Sequence, residues 1–404
     1  MSPVQPALLR NAAYLRLWGS QALGAVSQQA CLPVWPLLVL ALTGSAAAAG
    51  LVAAIRSLPF LILSLPVGVI VDRHNRATLL VVSAAGRVVI FGVLLLTLFL
   101  SGPSVLLIYV VVAIEGALFV VFNLAEVAAL PSVVPKEQLA SANAQNESTS
   151  AVVQVAAPAL GSFLYQVAGV FAAALVSAVC SVAAMFLVAK LQLSQPPRSS
   201  ERSAFLVEIA AGFRWLRDAK LIAFLACLTA LLNFLSAGLG VIAVIAAKRY
   251  GATDLQVGAI FSLAGLGAAI GALAAPWLKS RLQFDHAIRG VVVLTALLVP
   301  LFVASNQWLT IGIVYFLINV LSPIYNVFQV TFRLERIPTE LQGRVNSTYR
   351  LIAFGLFPLG AAAAGFLLES TVPGLAGAVF TSIALAAAVL ACVNVTSRSV
   401  AAAG

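Results

Sequence analysis

Charge is what this chain has least of. Of its 404 residues, 9% are Asp, Glu, Lys or Arg and 62% are hydrophobic, whereas about a quarter of a soluble domain is charged. That shortage excludes a soluble globular fold. Histidine is almost absent, and His74 and His286 fall in short charged loops where they are expected to be solvated. The four cysteines, Cys31, Cys180, Cys227 and Cys392, lie inside apolar runs without metal-ligand spacing and are expected as small core residues. No Gly-x-x-x-x-Gly-Lys sequence and no serine–histidine–acid set occurs, so neither a nucleotide-driven pump nor an enzyme is expected, and no cofactor or metal is implied.

What the chain does have is apolar runs, each long enough to cross a ~30 Å hydrocarbon core. Breaks at Pro, Gly and charge divide them into spans near 17–41, 48–71, 78–100, 105–130, 142–167 and 169–192, then 220–247, 255–278, 287–304, 308–332, 343–368 and 374–396. The expectation is an all-α polytopic membrane protein with twelve transmembrane helices. Arg10 and Arg16 precede the first span, which is expected to serve as its own insertion signal rather than as a cleaved leader. Alternate connections hold Arg73, Arg76, Lys136, Arg198, Arg202, Lys279, Arg281, Arg333 and Arg344, and the opposite ones hold only Lys248 and Arg249. Basic loops stay inside, so both termini are expected in the cytoplasm, and the net charge of +10 belongs to inner loops rather than to a nucleic-acid partner.

One hydrophilic stretch, 193–219, divides the chain nearly in half. It opens with Gln195-Pro-Pro-Arg and continues into Phe205–Arg217, where Phe205, Ile209, Phe213 and Leu216 recur at helical spacing, as in an amphipathic helix on the inner membrane surface. The expected organisation is a six-helix bundle at 1–192, this linker at 193–219, and a second bundle at 220–404. The halves repeat each other. Asn123, Glu126, Pro135, Glu137 and Asn143 recur as Asn326, Gln329, Pro338, Glu340 and Asn346, each shifted by 203. Matched polar residues and prolines are hard to obtain by chance, and they fit two parallel six-helix bundles.

The densest early charge cluster is Gly68-Val-Ile-Val-Asp72-Arg73-His-Asn-Arg76, between the second and third spans. It resembles the Gly-x-x-x-Asp-Arg-x-x-Arg loop of the major facilitator superfamily. The likeness extends to Leu42-Thr-Gly-Ser45, Arg56-Ser-Leu-Pro59, Leu130-Pro131, Pro158-Ala-Leu-Gly161, Gly343-Arg-Val-Asn346 and Pro358-Leu-Gly360. In order and spacing these are similar to the branch of enterobactin exporters and macrolide efflux proteins, the transmembrane secretion effectors. The resemblance implies proton-coupled efflux of a small amphipathic molecule, a drug or a siderophore, by alternating access. It places the chain in the plasma membrane, as a bacterial inner-membrane protein working as a monomer with small molecule, protons and lipid as its partners. The alternatives are an importer or passive facilitator on the same fold, or a receptor that transports nothing. Two departures bear on coupling: Gln28 stands where relatives often carry an acid, and Ala157–Ser162 lacks the full glycine set of the antiporter signature.

Intramembrane charges are functional candidates because each costs about 2.5–3.5 kcal/mol on insertion scales. Arg56 and Glu115 each lie about ten residues, roughly 15 Å, from the outer ends of their spans, and are expected to pair. Glu115 is then either a proton switch that releases Arg56 or half of a structural ion pair. Arg87 and Glu126 form a second set nearer the cytoplasm, either a gate or a hydrogen-bonded network. In the superfamily, spans one, four, seven and ten line the cavity, which implies lining roles for Gln21, Gln28, Phe119, Asn123, Asn233, Ser236, Asn319, Ser322, Asn326 and Gln329; the alternative for these polar faces is hydrogen bonding between helices alone. The resemblance likewise implies a conformational latch of Gly68, Asp72, Arg73 and Arg76 against Gly343. Gly258, Gly265, Gly267, Gly271, Gly161, Gly360 and Gly365 are expected where helices approach closely.

Overall fold

The structure, a computed structural model, describes residues 8–191, 213–338, 341–372 and 374–396. The helices are α1 (Ala12–Thr43), α2 (Ala46–Arg73), α3 (Arg76–Leu100), α4 (Val105–Val133) and α5 (Leu139–Ala189). After them come a short helix α6 at 213–218, then α7 (Lys220–Arg249), α8 (Asp254–Lys279), α9 (Phe284–Ala304), α10 (Trp308–Arg336), α11 (Gln342–Gly355), α12 (Phe357–Glu369) and α13 (Leu375–Asn394). The expected linker and amphipathic helix fall outside the described residues up to position 212; α6 is their last turn and a half.

Eleven helical stretches among the described residues are long and apolar enough to cross a membrane. One of them, Lys136–Ala189, has 54 residues and at ~1.5 Å per residue would measure about 80 Å, more than twice a hydrocarbon core. It breaks where Ala168 leaves helical geometry and Gly169 takes φ 66°, a conformation that glycine adopts without a Cβ penalty. The two arms are separate spans, which gives twelve, and the break falls where the fifth and sixth were divided from sequence. The eleventh span is α11 and α12 together, hinged at Leu356.

The repeat is visible in the helix starts. Helices α1, α2 and α3 begin at 12, 46 and 76, and α7, α8 and α9 at 220, 254 and 284, a constant shift of 208. Helices α4 and α10 run 105–133 and 308–336, shifted by 203 at both ends. Glu126 and Gln329, matched at that shift, are both buried.

Contacts divide the chain into two compact units, Met1–Leu42 with Ile55–Ser200 and Thr43–Ala54 with Glu201–Gly404. In the first, α3 packs on α4 and α5, over a core of Tyr14, Leu17, Val71, Leu80, Phe122 and Leu130. Two close approaches fix it: a Cβ on Gly116 would lie 2.8 Å from the Arg56 carbonyl, and one on Gly161 would collide with the Ala30 backbone. In the second, α8 packs on α10, α7 on α11 and α12, and α9 on α10 and α13. There Gly267 and Gly271 lie against the carbonyls of Phe316 and Val320, and Gly360 against that of Phe234. Small residues serve this purpose in membranes, where packing rather than water exclusion holds helices together. A capping box of Thr253 and Gln256 starts α8, and Lys248 pairs with Asp254 at 2.9 Å across the preceding turn.

The N-terminal end of α2 departs from the expected division at 193–219, which leaves the whole helix in the first bundle. By its contacts 43–54 belongs to the second unit. The Gly50 backbone lies against Gly365 and the Ala361 carbonyl, and the Glu369 carboxylate accepts from the Ala47 N–H at 3.1 Å and the Ser45 hydroxyl at 3.2 Å. Of the cysteines, Cys31 and Cys180 are buried, as expected, but Cys227 and Cys392 are exposed.

Candidate functional site

The site is assembled in the first unit by a ladder of hydrogen bonds between α1 and α5. Tyr14 donates to Gln145 at 3.2 Å, Trp18 to Thr149 at 2.9 Å and Gln21 to Ser150 at 3.1 Å. Positions 14, 18 and 21 repeat at four and three residues, one face of a helix. The ladder turns the polar start of α5, Asn146 to Gln154, toward α1 and α4.

A cavity of about 250 Å³ lies along this face. It is lined by Gln21, Gly24, Ala25, Gln28 and Gln29 of α1, Arg56 of α2, Phe119, Phe122, Asn123 and Glu126 of α4, and Ser150 and Gln154 of α5. Its walls carry neutral amides, two aromatic rings and two charges of opposite sign. Glu126 is 4% exposed, and its Oε1 accepts one long bond, 3.4 Å, from the Asn146 amide. Among the described residues no cation lies within ion-pair distance of it. Arg56 donates to the Gln28 carbonyl at 2.9 Å; among the described residues its Nε has no partner and no carboxylate lies within ion-pair distance.

The expected Arg56–Glu115 pair is not formed. Glu115 accepts from Arg87 at 3.3 Å, with side chains 4% and 2% exposed, and Arg87 also donates to the Ser27 hydroxyl at 3.0 Å. The reason is helix azimuth. Arg56 lies at the expected depth, its carbonyl against Gly116 beside Glu115, but its side chain turns to α1. Arg87 reaches Glu115 because α3 packs along α4, in space left at Gly24, where a Cβ would stand 3.4 Å from the guanidinium. Arg87 is therefore paired with Glu115 rather than grouped with Glu126. Glu115 and Glu126 share a helix face, yet only Glu126 lines the cavity.

Of the residues expected to line a cavity, Gln21, Gln28, Phe119 and Asn123 do so here. The others lie in the second unit. Asn233 donates to the Ala353 carbonyl and Asn319 to that of Tyr315, both at 2.8 Å. Ser236, Ser322 and Asn326 are exposed, while Gln329 is 2% exposed with its Nε2 unpartnered. One turn from Gln329, Arg333 stacks on the Tyr349 ring at 3.9 Å, and the Tyr349 and Tyr325 hydroxyls meet at Thr229.

At the second-to-third connection Gly68 has open space about it, and Asp72 and Arg73 are exposed at the end of α2. Asn75 caps α3 by accepting from the Ala77 N–H. Arg76 donates to the Ala128 carbonyl at 2.8 Å, tying α3 to α4. At the matching point of the second unit that charge is replaced by Phe284, stacked on Phe332 at 3.8 Å. Gly343 lies in the first turn of α11.

Sequence reasoning missed Gln29, Ser150 and Gln154 as lining, and Asn146 as the partner of Glu126. The signal was present: Asn146-Glu-Ser-Thr-Ser150 is an unusually polar opening for a span.

Comparison with known proteins follows the same lines. The enterobactin exporter EntS of Escherichia coli is 28% identical over 328 residues, 80% of this chain and 74% of that protein. Among solved structures, a bacterial homologue of the iron transporter ferroportin in an inward-facing state superposes with a TM-score of 0.68 at 20% identity, covering 96% of this chain and 98% of that one. The nucleoside transporter NupG gives 0.70 at 13% identity, covering 97% and 98%. The profile of the Major Facilitator Superfamily matches residues 17–361. The chain belongs to the Major Facilitator Superfamily, a family of membrane transporters rather than enzymes.

Proposed function

We propose that this transporter exports small amphipathic molecules across a bacterial inner membrane in exchange for protons, by alternating access, with both termini in the cytoplasm. The observation that carries the reading is the cavity of the first unit: a buried carboxylate, Glu126, with no cation within ion-pair distance among the described residues, in a lining of amides, two phenylalanines and Arg56. A buried carboxylate is the side chain suited to take up and release a proton during a cycle, and intramembrane acids commonly mark such relays. Arg87 and Glu115 hold α3 to α4 as a self-neutralised pair and play no part in coupling. Aromatic and amide walls suit a ligand with an apolar body and several hydrogen-bonding groups.

Efflux, rather than uptake, is favoured by the likeness to enterobactin exporters, and enterobactin itself is the first substrate to try. In this reading Asp72, with Gly68, Arg73 and Arg76, acts as a latch on the start of α11 near Gly343 when the inner side is closed. A helix N-terminus favours a nearby acid by about 0.3–1 kcal/mol, enough to bias an equilibrium without locking it. The test is uptake of enterobactin, and of an amphipathic dye, into everted membrane vesicles with and without a protonophore. Accumulation that collapses with the protonophore supports exchange. Accumulation indifferent to it marks passive facilitation, and binding without flux marks a receptor.

A further inference from the structure

Asn146 supplies the one hydrogen bond found at Glu126, and only half of its amide is used. Its Nδ2 donates to the Glu126 Oε1 at 3.4 Å, while its Oδ1 is buried and, among the described residues, has no hydrogen-bond partner. A buried carbonyl oxygen left unpaired is costly, and its presence beside a titratable acid calls for a reason. An ionised carboxylate only accepts, whereas a protonated one carries an O–H that must donate. A side chain that serves both states has to offer a donor to one and an acceptor to the other. A carboxamide does so by a half-turn about its terminal bond, a torsion that is soft and roughly two-fold in asparagine. The bond to be exchanged is already long. The backbone need not move: Gln145, Thr149 and Ser150 hold this stretch of α5 to Tyr14, Trp18 and Gln21 of α1.

We infer that Asn146 is a positioning residue that follows the proton on Glu126: its Nδ2 faces the carboxylate when the proton is absent, and its Oδ1 accepts from the carboxyl O–H when the proton is present. The inference rests on the reading of Glu126 as the acid that exchanges protons. In either state one amide atom is paired and the other is not, so neither state is trapped and the acid stays free to titrate. The other charged and titratable groups around Glu126 are engaged elsewhere. Tyr14 of α1 donates to Gln145, and Arg87 of α3 pairs with Glu115 of α4. Arg56 of α2 donates to the Gln28 carbonyl and, as an arginine, has no acceptor to offer an O–H. Glu147, next to Asn146 on α5, is exposed.

The test is infrared difference spectroscopy of the full-length protein in lipid as pH is varied. The carboxyl C=O band that disappears in Glu126→Gln belongs to Glu126 and reports its protonation. Asn146→Leu removes donor and acceptor together. A hydrogen bond to an ionised group is roughly twice as strong as a neutral one, so the ionised form loses more. The midpoint of the band should therefore move to higher pH by roughly half to one unit, about a three- to tenfold change in proton affinity. The band itself should move to higher wavenumber, because its O–H has lost an acceptor. Asn146→Gln keeps both amide atoms and should restore the native midpoint. With isotope-labelled asparagine, one amide C=O band of the native protein should shift with the Glu126 midpoint, and should be missing in both Glu126→Gln and the smaller variant Asn146→Ser. An unmoved midpoint in Asn146→Leu, or an asparagine spectrum indifferent to Glu126, overturns the inference. So does a Glu126 that keeps one protonation state over the whole pH range in which the protein stays folded. Proton-driven dye efflux separates this from the exchange reading. Efflux lost in Glu126→Gln with the midpoint unmoved in Asn146→Leu keeps exchange and removes the role of the amide. A shifted midpoint with efflux unimpaired in Glu126→Gln does the reverse.

Discussion

Arg87 and Glu115 offer a sharp test of which intramembrane charges are structural. Their side chains are 2% and 4% exposed and 3.3 Å apart, with Ser27 as a further acceptor for Arg87. An interhelical hydrogen bond in a membrane contributes only about 0.6 kcal/mol on average, so the lost bond is the smaller effect. Leaving the other charge buried and unpaired is the larger, at about 3–5 kcal/mol. In a unit of this size 1 kcal/mol moves the melting temperature by about 2–4 °C. Arg87→Met is therefore expected to lower it by roughly 6–20 °C, and Glu115→Gln by less, because the amide still accepts. The double variant Arg87→Met with Glu115→Gln removes both charges and should regain at least half of the larger loss, while still driving dye efflux. Thermal unfolding of the four proteins in detergent measures the coupling. Losses that add, or a double variant that folds but has lost proton-driven flux, would refute the view that this pair is structural.

Other consequences follow from single sites. Asp72→Asn should slow turnover in vesicles several-fold and leave ligand affinity in detergent unchanged; equal losses in both would remove the latch. Gly161→Leu, with no room beside the Ala30 backbone, should destabilise by at least the ~1–3 kcal/mol of core overpacking, seen as a lower melting temperature. Gly68→Ala meets nothing within 4 Å and should melt at or slightly above the native temperature, since Ala suits a helix better by about 1 kcal/mol. Any transport defect in that variant then reports on movement rather than folding. Gly169→Ala should cost about 1–3 kcal/mol by placing a Cβ at φ 66°, ψ −167°, a region essentially confined to glycine.

Depth along each helix was legible from the chain, and azimuth was not. Hydropathy, proline and glycine located every span, the break at Gly169 included, and the 203-residue shift of Asn123 and Glu126 anticipated the matched ends of α4 and α10. Arg56 was placed beside Glu115 in depth, and its carbonyl does touch Gly116. Which way the guanidinium turns depends on rotation of α2 against α1 and α4, and each residue of error turns a side chain by about 100°. That is why sequence depth alone pairs Glu115 with Arg56 instead of Arg87. The share of α5 in the cavity was hidden for another reason. Its polar start reads as a span end near water, and only the ladder from Tyr14 to Gln21 turns it inward. The N-terminal end of α2 was similarly opaque, because Glu369 and Ser45 are 324 residues apart.

The central claim is that Glu126 carries the coupled proton. It is tested most directly by comparing two fluxes of a transported amphipathic dye in proteoliposomes containing Glu126→Gln: movement driven by an imposed pH gradient, and exchange of labelled for unlabelled dye without one. The expected result is loss of the gradient-driven movement with exchange retained. Gradient-driven movement at the native rate in Glu126→Gln would contradict the account.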